Sequence, residues 1–452
     1  MHEKDPGKFS HIFRSYDIRG IYKKDIDEGI TERIGSCLVG SAKNIVVAMD
    51  MRLSSKGLKN AFATGVTAAG SDIIDLGLVP MGAAMFYAIQ HYKTLAYITA
   101  SHLPKGWNGV KFFHPNGEGF VEEENFRIRG DFLKGDIKSG KAVGNISNLE
   151  SSQVIEEYKN HLLSIHADKK LKVVLDCGNG MAALFVKDLF ERAGFSVVPI
   201  FDELDGTFPN RSPEPEEDPL TVLKKEAEKA DLGIAYDGDA DRMVLIDDKG
   251  RKLTPEQVSF LILSELLKKE QGPIIANVEC SRVLDAIAKQ FGREVLRVRV
   301  GHPYIVSEAH KNKACFGVES SGHYIIPSLV PYDDSMAVSL YAAVVLSGKD
   351  EKLSEIVDKI KAYPFDRINF KCPDNKKFSV IDKIKEEFLK EYKNINTIDG
   401  IRIDFDNGWI LLRASNTEPK IRLTVEADDE KGFEELKDKF SKILEEGIVN
   451  SE

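Results

Sequence analysis

Cysteine is scarce in this chain and poorly placed for cross-linking. Cys37, Cys177, Cys280, Cys315 and Cys372 lie far apart, form no Cys-x-x-Cys pair and are odd in number, which argues against a zinc site or a disulfide framework and fits a reducing compartment. Long hydrophobic runs are missing: none approaches the ~18 residues needed to cross a bilayer. The first ten residues, MHEKDPGKFS, hold no apolar signal core. No membrane association and a cytoplasmic location are therefore expected. A basic excess is missing as well. With a net charge of −10 the chain is not expected to bind nucleic acid, and a phosphorylated small molecule would have to meet local basic pockets. What is present is an ordinary soluble composition, 42% hydrophobic and 30% charged over 452 residues, enough for three or four domains.

Strands and helices alternate along most of the chain. NIVVAMD (44–50), a helical stretch from Ser55, SDIIDLG, a second helical stretch from Pro80 and TLAYITASH make a first α/β block. KVVLDCGNG, the helical GMAALFVKDLFERAG, SVVPIFD and DLGIAYDGDADR make a second; PIIANVECSR, the helical SRVLDAIAKQFG, EVLRVRVGH and ACFGVESSGH make a third. Such recurrence predicts internal triplication. Each block ends its last strand on a polar loop, TASH, DGDADR or ESSGH. Ligands gather beyond the carboxyl ends of strands in open α/β sheets, so the three loops are expected to converge on one cleft. The tail differs: FDRINFKCP, an amphipathic helix over 377–393, a hairpin turning at Asn407-Gly408, the strand KIRLTVEAD and a helix over 430–446. The expected fold class is α/β: three similar domains with mixed, mostly parallel sheets (1–150, 151–250 and 251–364), then a C-terminal α+β domain (365–452).

Four loops carry the chemistry. In YDGDADR, Asp237, Asp239 and Asp241 alternate with the small residues Gly238 and Ala240. Carboxylates this dense repel unless a cation holds them, and hard oxygen ligands suit Mg²⁺; a solvated acidic turn is the bland alternative. Arg242 follows directly, either as charge compensation or as a phosphoryl clamp. Ser101 closes a buried-looking strand in ITASHLPKGWNGVKFF (98–113), with His102 and Lys111 nearby. A hydroxyl facing a metal could accept a phosphoryl group and return it; alone, it would read as a strand-terminating serine. No Gly-x-Ser-x-Gly elbow surrounds it, which weakens a serine-hydrolase reading. GVESSGH supplies Glu319 and Ser321, suited to vicinal sugar hydroxyls, and His323, suited to proton transfer near neutral pH. RASNTEPKIR places Arg413, Ser415, Asn416, Thr417 and Arg422 about a turn rich in anion donors. Tyr16 and Arg19 in IFRSYDIRG, and Arg299 and His302 in RVRVGHPYI, fit the same cleft.

FRSYDIRG, TASHLPKGWNGVKF, DGDADR, GVESSGH and RASNTEPKIRL, in this order from Arg14 to Leu423, together resemble the motif set of the α-D-phosphohexomutase family, in particular its phosphomannomutase/phosphoglucomutase branch. The resemblance implies four domains in a heart-like arrangement around a central cleft, the last binding phosphate. It implies interconversion of hexose 1-phosphate and hexose 6-phosphate, of mannose or glucose, through a phosphoserine enzyme and a bound hexose 1,6-bisphosphate. Carried over by motif, Ser101 is the phosphoserine that completes an Mg²⁺ shell with Asp237, Asp239 and Asp241. Arg19, His102, Lys111 and His323 form the catalytic group around it. Glu319 and Ser321 bind sugar hydroxyls; Arg413, Ser415, Asn416, Thr417 and Arg422 hold the nonreacting phosphate; Tyr16, Arg242, Arg299 and His302 line the remaining wall. The partners implied are small hexose phosphates, to a monomer or dimer.

Two departures from the family pattern stand out: TASHLP in place of TASHNP, and Glu279 in NVECSR where some bacterial members carry a basic residue. Phosphoglucosamine mutase is the alternative within the family, usually marked by SASHNP and an SGTE phosphate loop; here Thr99 and Asn416 occupy the distinguishing positions. A noncatalytic sugar-phosphate sensor would typically have lost Ser101 or an aspartate, and all four stand. A metal-dependent phosphatase would need no serine relay.

Overall fold

The computed structural model describes residues 6–135, 142–415 and 419–450. The apolar, β-branched runs form central strands. Ile45–Met49, Thr94–Ile98, Leu232–Tyr236 and Ile274–Asn277 are buried almost throughout, as strands covered on both faces must be.

The triplication is visible in the strand order. In the first domain Trp107–Phe113 pairs antiparallel with Thr94–Ile98, which runs parallel to Ile45–Met49, itself parallel to Ile73–Leu78. The second repeats this with Met243–Ile246, Leu232–Tyr236, Lys172–Asp176 and Ser196–Ile200. The third repeats it with Tyr324–Ile325, Phe316–Val318, Ile274–Asn277 and Val295–Val298. The first sheet adds Ile18–Ile21 at one edge and Ile146–Asn148 at the other. Each unit thus ends in a hairpin from a parallel strand to an antiparallel one, and the loop of that hairpin is TASHLPKG, DGDADR or ESSGH.

The fourth unit is an antiparallel sheet in the order Phe365–Lys371, Lys420–Ala427, Gly408–Ala414, Ile401–Phe405, Ile395–Asn396. The helices Lys377–Glu391 and Glu430–Val449 contribute apolar residues to its core. One hydrophobic core runs through the first three units, joining Tyr97, Leu175, Phe185, Phe316 and Leu340. The fourth has its own core and meets the third through a small cluster of Val278, Trp409 and Leu411. Arg402 reinforces that contact, donating to the carbonyls of Val278 (2.8 Å) and Cys280 (3.0 Å).

Two local expectations change. The helix expected over GMAALFVKDLFERAG breaks at Phe185, whose φ of −136° separates a 3₁₀ turn, Met181–Leu184, from the helix Val186–Arg192. The hairpin turns at Asp406-Asn407, one residue earlier than expected, because Gly408 already pairs with Phe405. All five cysteines are buried and none forms a disulfide with another. No helix among the described residues is long and apolar enough to cross a membrane.

Candidate active site

The three hairpin loops interlock. Ser101 Oγ donates to Asp237 Oδ2 at 2.8 Å, Thr99 Oγ1 donates to Asp239 at 3.0 Å, and the Met243 N–H donates to the Gly322 carbonyl at 3.2 Å. The loops border a cavity of about 380 Å³ lined by Tyr16, Arg19, Ser101, His102, Lys111, Arg242, Glu279, His302, Glu319, Ser321, His323 and Arg422, among others. Most residues singled out in the sequence therefore meet in one place, as the carboxyl-end rule predicts.

Ser101 is buried, with 3% of its surface exposed, and sits at φ 48°. A left-handed backbone at a non-glycine residue costs about 1–3 kcal/mol and persists only where its surroundings hold it. Arg52 supplies that hold. All five guanidinium N–H positions are used: Nε donates to Asp50, Nη1 to the carbonyls of Pro104 and Trp107, and Nη2 to those of Ser101 and Leu103. Thr99 Oγ1 accepts the Ser101 N–H at 2.9 Å. The Ser101 loop is thus clamped from below while its hydroxyl faces the carboxylates.

Asp237, Asp239 and Asp241 bring one oxygen each to within 4.8 Å of one another, all fully buried. Burial and the neighbouring Asp241 and Asp239 push Asp237 well above the usual carboxylate range. Burial pushes Asp241 up too, but Lys111, His323 and Arg242 outweigh it and hold that carboxyl well below the range. Lys111 donates to Asp241 (2.6 Å) and Asp239 (3.2 Å), and Arg242 lies 3.4 Å from Asp237 and 3.0 Å from Glu214. Burial would favour neutral Lys111, yet Asp239 and Asp241 reverse this and raise its pKa. Oδ1 of Asp239 and of Asp241 remains buried without a hydrogen-bond partner. Orphaned carboxylate oxygens beside the buried Ser101 hydroxyl are the donor set a hard divalent cation takes, so the residues fit Mg²⁺.

The flanking wall is charged and ordered. Arg19 forms a two-point pair with Asp17, its Nε donating at 2.8 Å. Burial and the nearby cations Arg242, Arg19 and Lys111 hold His102 well below its ordinary pKa. His323 and His302 stack with centroids 5.1 Å apart, and both Nδ1 atoms face Asp333 Oδ2, at 2.8 and 3.3 Å. Burial opposes protonation of His323, but Asp241 and Asp333 prevail and raise its pKa. Burial, followed by Glu319, pushes the Tyr16 phenol up to about 12. Glu319 accepts from the Gly301 N–H (2.6 Å), Asn277 (3.0 Å) and Ser321 (2.9 Å).

Across the cleft, Glu279 faces three arginines of the fourth unit: Arg422 at 3.5 Å, and Arg413 and Arg367 at 3.6 Å each. Burial alone would raise the Glu279 pKa; these arginines lower it below the usual range. Arg413 also donates to Asp399 at 3.0 Å. Ser415 is buried beside them, its N–H donating to the Lys420 carbonyl at 3.0 Å. Asn416 and Thr417 lie outside the described residues. Arg299 does not join the cleft. It is exposed and donates to the Ile398 carbonyl at 3.0 Å, because an arginine at a strand end can lean to either side and here the fourth unit offers the acceptor.

Sequence reading passed over Arg52, Glu214, Asp333 and Arg367. Asp333 carried a signal, the Asp-Asp pair before an apolar helix: Asp334 caps Ser335–Ser347, accepting from Met336 and Ala337, which leaves Asp333 for the histidines. Arg52 and Arg367 carried little, since the contacts that matter here, the carbonyls of the Ser101 loop for Arg52 and Glu279 for Arg367, lie far along the chain.

Models of the phosphoglucomutase/phosphomannomutase family match the chain in order: alpha/beta/alpha domain I at residues 10–138, domain II at 155–250, domain III at 254–363 and the C-terminal domain at 368–443. The chain is 32% identical to a probable phosphoglucosamine mutase of Methanosarcina acetivorans, covering 97% of this chain and 99% of that one. It is 33% identical to the phosphoglucosamine mutase of Methanocaldococcus jannaschii, covering 96% and 99%. A solved phosphoglucomutase/phosphomannomutase family protein of Burkholderia thailandensis superposes with a TM-score of 0.88 at 26% identity, covering 97% of this chain and 98% of that one. The chain belongs to the α-D-phosphohexomutase family and is a mutase of the intramolecular phosphotransferase class.

Proposed function

We propose that this enzyme interconverts glucosamine 1-phosphate and glucosamine 6-phosphate, with phosphorylated Ser101 as the relay. The observation that carries the mechanism is the placement of Ser101 Oγ, 2.8 Å from Asp237 in a loop held at φ 48° against three carboxylates. Asp237, Asp239, Asp241 and phosphorylated Ser101 would hold Mg²⁺. Bound there, the ion supplies charge neutralisation for the transferring phosphoryl group.

The phosphoryl group leaves Ser101 Oγ for O6 of glucosamine 1-phosphate: the O6 hydroxyl gives up its proton as the new P–O bond forms, and Ser101 Oγ takes one as the old bond breaks. The resulting 1,6-bisphosphate turns end for end. Its other phosphoryl group then returns from O1 to Ser101, O1 takes a proton, and glucosamine 6-phosphate departs. Lys111, His323, His102 and Arg19 surround Ser101 to move the proton and stabilise charge. Glu319 and Ser321 grip the O3 and O4 hydroxyls, which roughly exchange places on turning. Arg413, Ser415, Asn416, Thr417 and Arg422 hold whichever phosphate is not reacting. Tyr16, Arg242 and His302 bound the space between.

The amino sugar is favoured over the mannose and glucose expected from the sequence by the full-length phosphoglucosamine mutase relatives. The structure also weakens one reason for the earlier expectation. Thr99 is buried beneath the loop, where its hydroxyl bridges Asp50 (2.8 Å), Asp239 and the Ser101 N–H. A serine hydroxyl could make the same bonds, so Thr99 says nothing about the sugar. A coupled assay with trace matching bisphosphate should give the highest kcat/KM for glucosamine 1-phosphate. Higher values for mannose 1-phosphate or glucose 1-phosphate would return the sequence-based assignment.

A further inference from the structure

Glu279 is a cleft residue at odds with its surroundings. It is 5% exposed, and its Oε2 accepts only from Ser320 Oγ, at 3.0 Å. Its Oε1 is buried without any hydrogen-bond partner, although Arg422 and Arg413 lie 3.5 and 3.6 Å from it. Those separations exceed ordinary N–H···O reach, so the guanidinium groups neutralise Oε1 without filling its acceptor positions. Nη2 of Arg413 and Nε of Arg367 are likewise buried without hydrogen bonds. Both a donor set and an acceptor are thus left open side by side.

Charge bookkeeping distinguishes the ligands. Among the described residues, Arg367, Arg413 and Arg422 carry three positive charges, and Glu279 and Asp399 two negative ones, leaving one positive. A phosphate monoester brings close to two negative charges and overshoots by one, next to a buried carboxylate. An ammonium on the adjacent carbon restores neutrality and offers three N–H donors. In glucosamine 1-phosphate the phosphate and the ammonium are vicinal; in glucosamine 6-phosphate they are far apart.

We propose that Glu279 determines specificity by accepting the C2 ammonium of the hexosamine while the arginines beside it hold the C1 phosphate. This rests on the reading of the chain as a glucosamine phosphate mutase. The residue therefore acts on one of the two orientations of the intermediate, the one with the 1-phosphate on the fourth unit. Since the overall equilibrium fixes the ratio of kcat/KM in the two directions, the asymmetry is to be sought in binding.

The test is calorimetric titration of Ser101→Ala, which cannot turn over, with glucosamine 1-phosphate, glucose 1-phosphate and glucosamine 6-phosphate, with and without Glu279→Gln. A charge-assisted hydrogen bond predicts that Glu279→Gln weakens glucosamine 1-phosphate by at least about tenfold. Glucose 1-phosphate should bind equally well or better, and glucosamine 6-phosphate should change little. Glu279→Asp should keep part of the preference. Equal losses for glucosamine 1-phosphate and glucose 1-phosphate would overturn the proposal, showing that Glu279 merely positions the arginines. Should Glu279→Gln not fold, equal affinity of Ser101→Ala for those two ligands would overturn it as well. Turnover separates the two claims: an active protein that does not prefer glucosamine 1-phosphate removes the functional reading, whereas one that prefers it with an indifferent Glu279 removes only this inference.

Discussion

Gly238 lies so close to Ser101 that a Cβ added to it would stand 2.5 Å from the Ser101 carbonyl oxygen. The aspartate loop of the second unit and the Ser101 loop of the first are therefore in backbone contact, with no side chain between them. That contact brings Asp237 within hydrogen-bond reach of Ser101 Oγ. Gly238→Ala should push the loops apart while leaving both sheets intact. A displacement of that size costs about a hundredfold in kcat, with a stability loss of about 1–3 kcal/mol from overpacking. Steady-state kinetics beside thermal unfolding would check this; full activity would show that the loops can separate without consequence.

Asp239 offers one oxygen to Thr99 and Lys111 and leaves the other unpaired. Asp239→Asn keeps the shape and removes the charge. We expect a folded protein with activity down at least about a hundredfold and markedly weaker Mg²⁺ binding by calorimetry. Undiminished turnover of the unsubstituted enzyme in excess chelator would contradict the metal assignment.

The fourth unit should be separable. The first three share a core, while the fourth has its own and touches the third through a small apolar cluster of Val278, Trp409 and Leu411 and a set of polar contacts from Arg282, Arg299, Arg402 and Glu279. A fragment of residues 1–364 should unfold cooperatively yet bind glucosamine 1-phosphate far more weakly, having lost Arg413, Ser415 and Arg422. Unchanged affinity would place the phosphate-binding residues elsewhere.

The parts of the site that were legible in the sequence are those whose chemistry is local. DGDADR packs its carboxylates into alternate positions, and the three loops follow recurring strands, so convergence could be anticipated before any coordinate. What escaped is long-range. The partners of Arg52 include carbonyls about fifty positions away, and Arg367 reaches Glu279 only because two units fold against each other. The local Asp50–Arg52 pair says nothing of the distant loop that Arg52 holds, and nothing near Arg367 marks it. Arg299 shows the converse: placed like the others at a strand end, it finds a carbonyl in another unit and leaves the cleft. The break at Phe185 and the early hairpin turn are errors of boundary, which packing and strand register decide.

The central claim is that Ser101 relays the phosphoryl group. The direct measurement is intact mass of dephosphorylated protein after incubation with glucosamine 1,6-bisphosphate, followed by peptide mapping. The account predicts a single added phosphate on Ser101, released again as bisphosphate when glucosamine 1-phosphate is supplied, and none on Ser101→Ala. A protein that stays unmodified yet turns over, or an equally active Ser101→Ala, would contradict it.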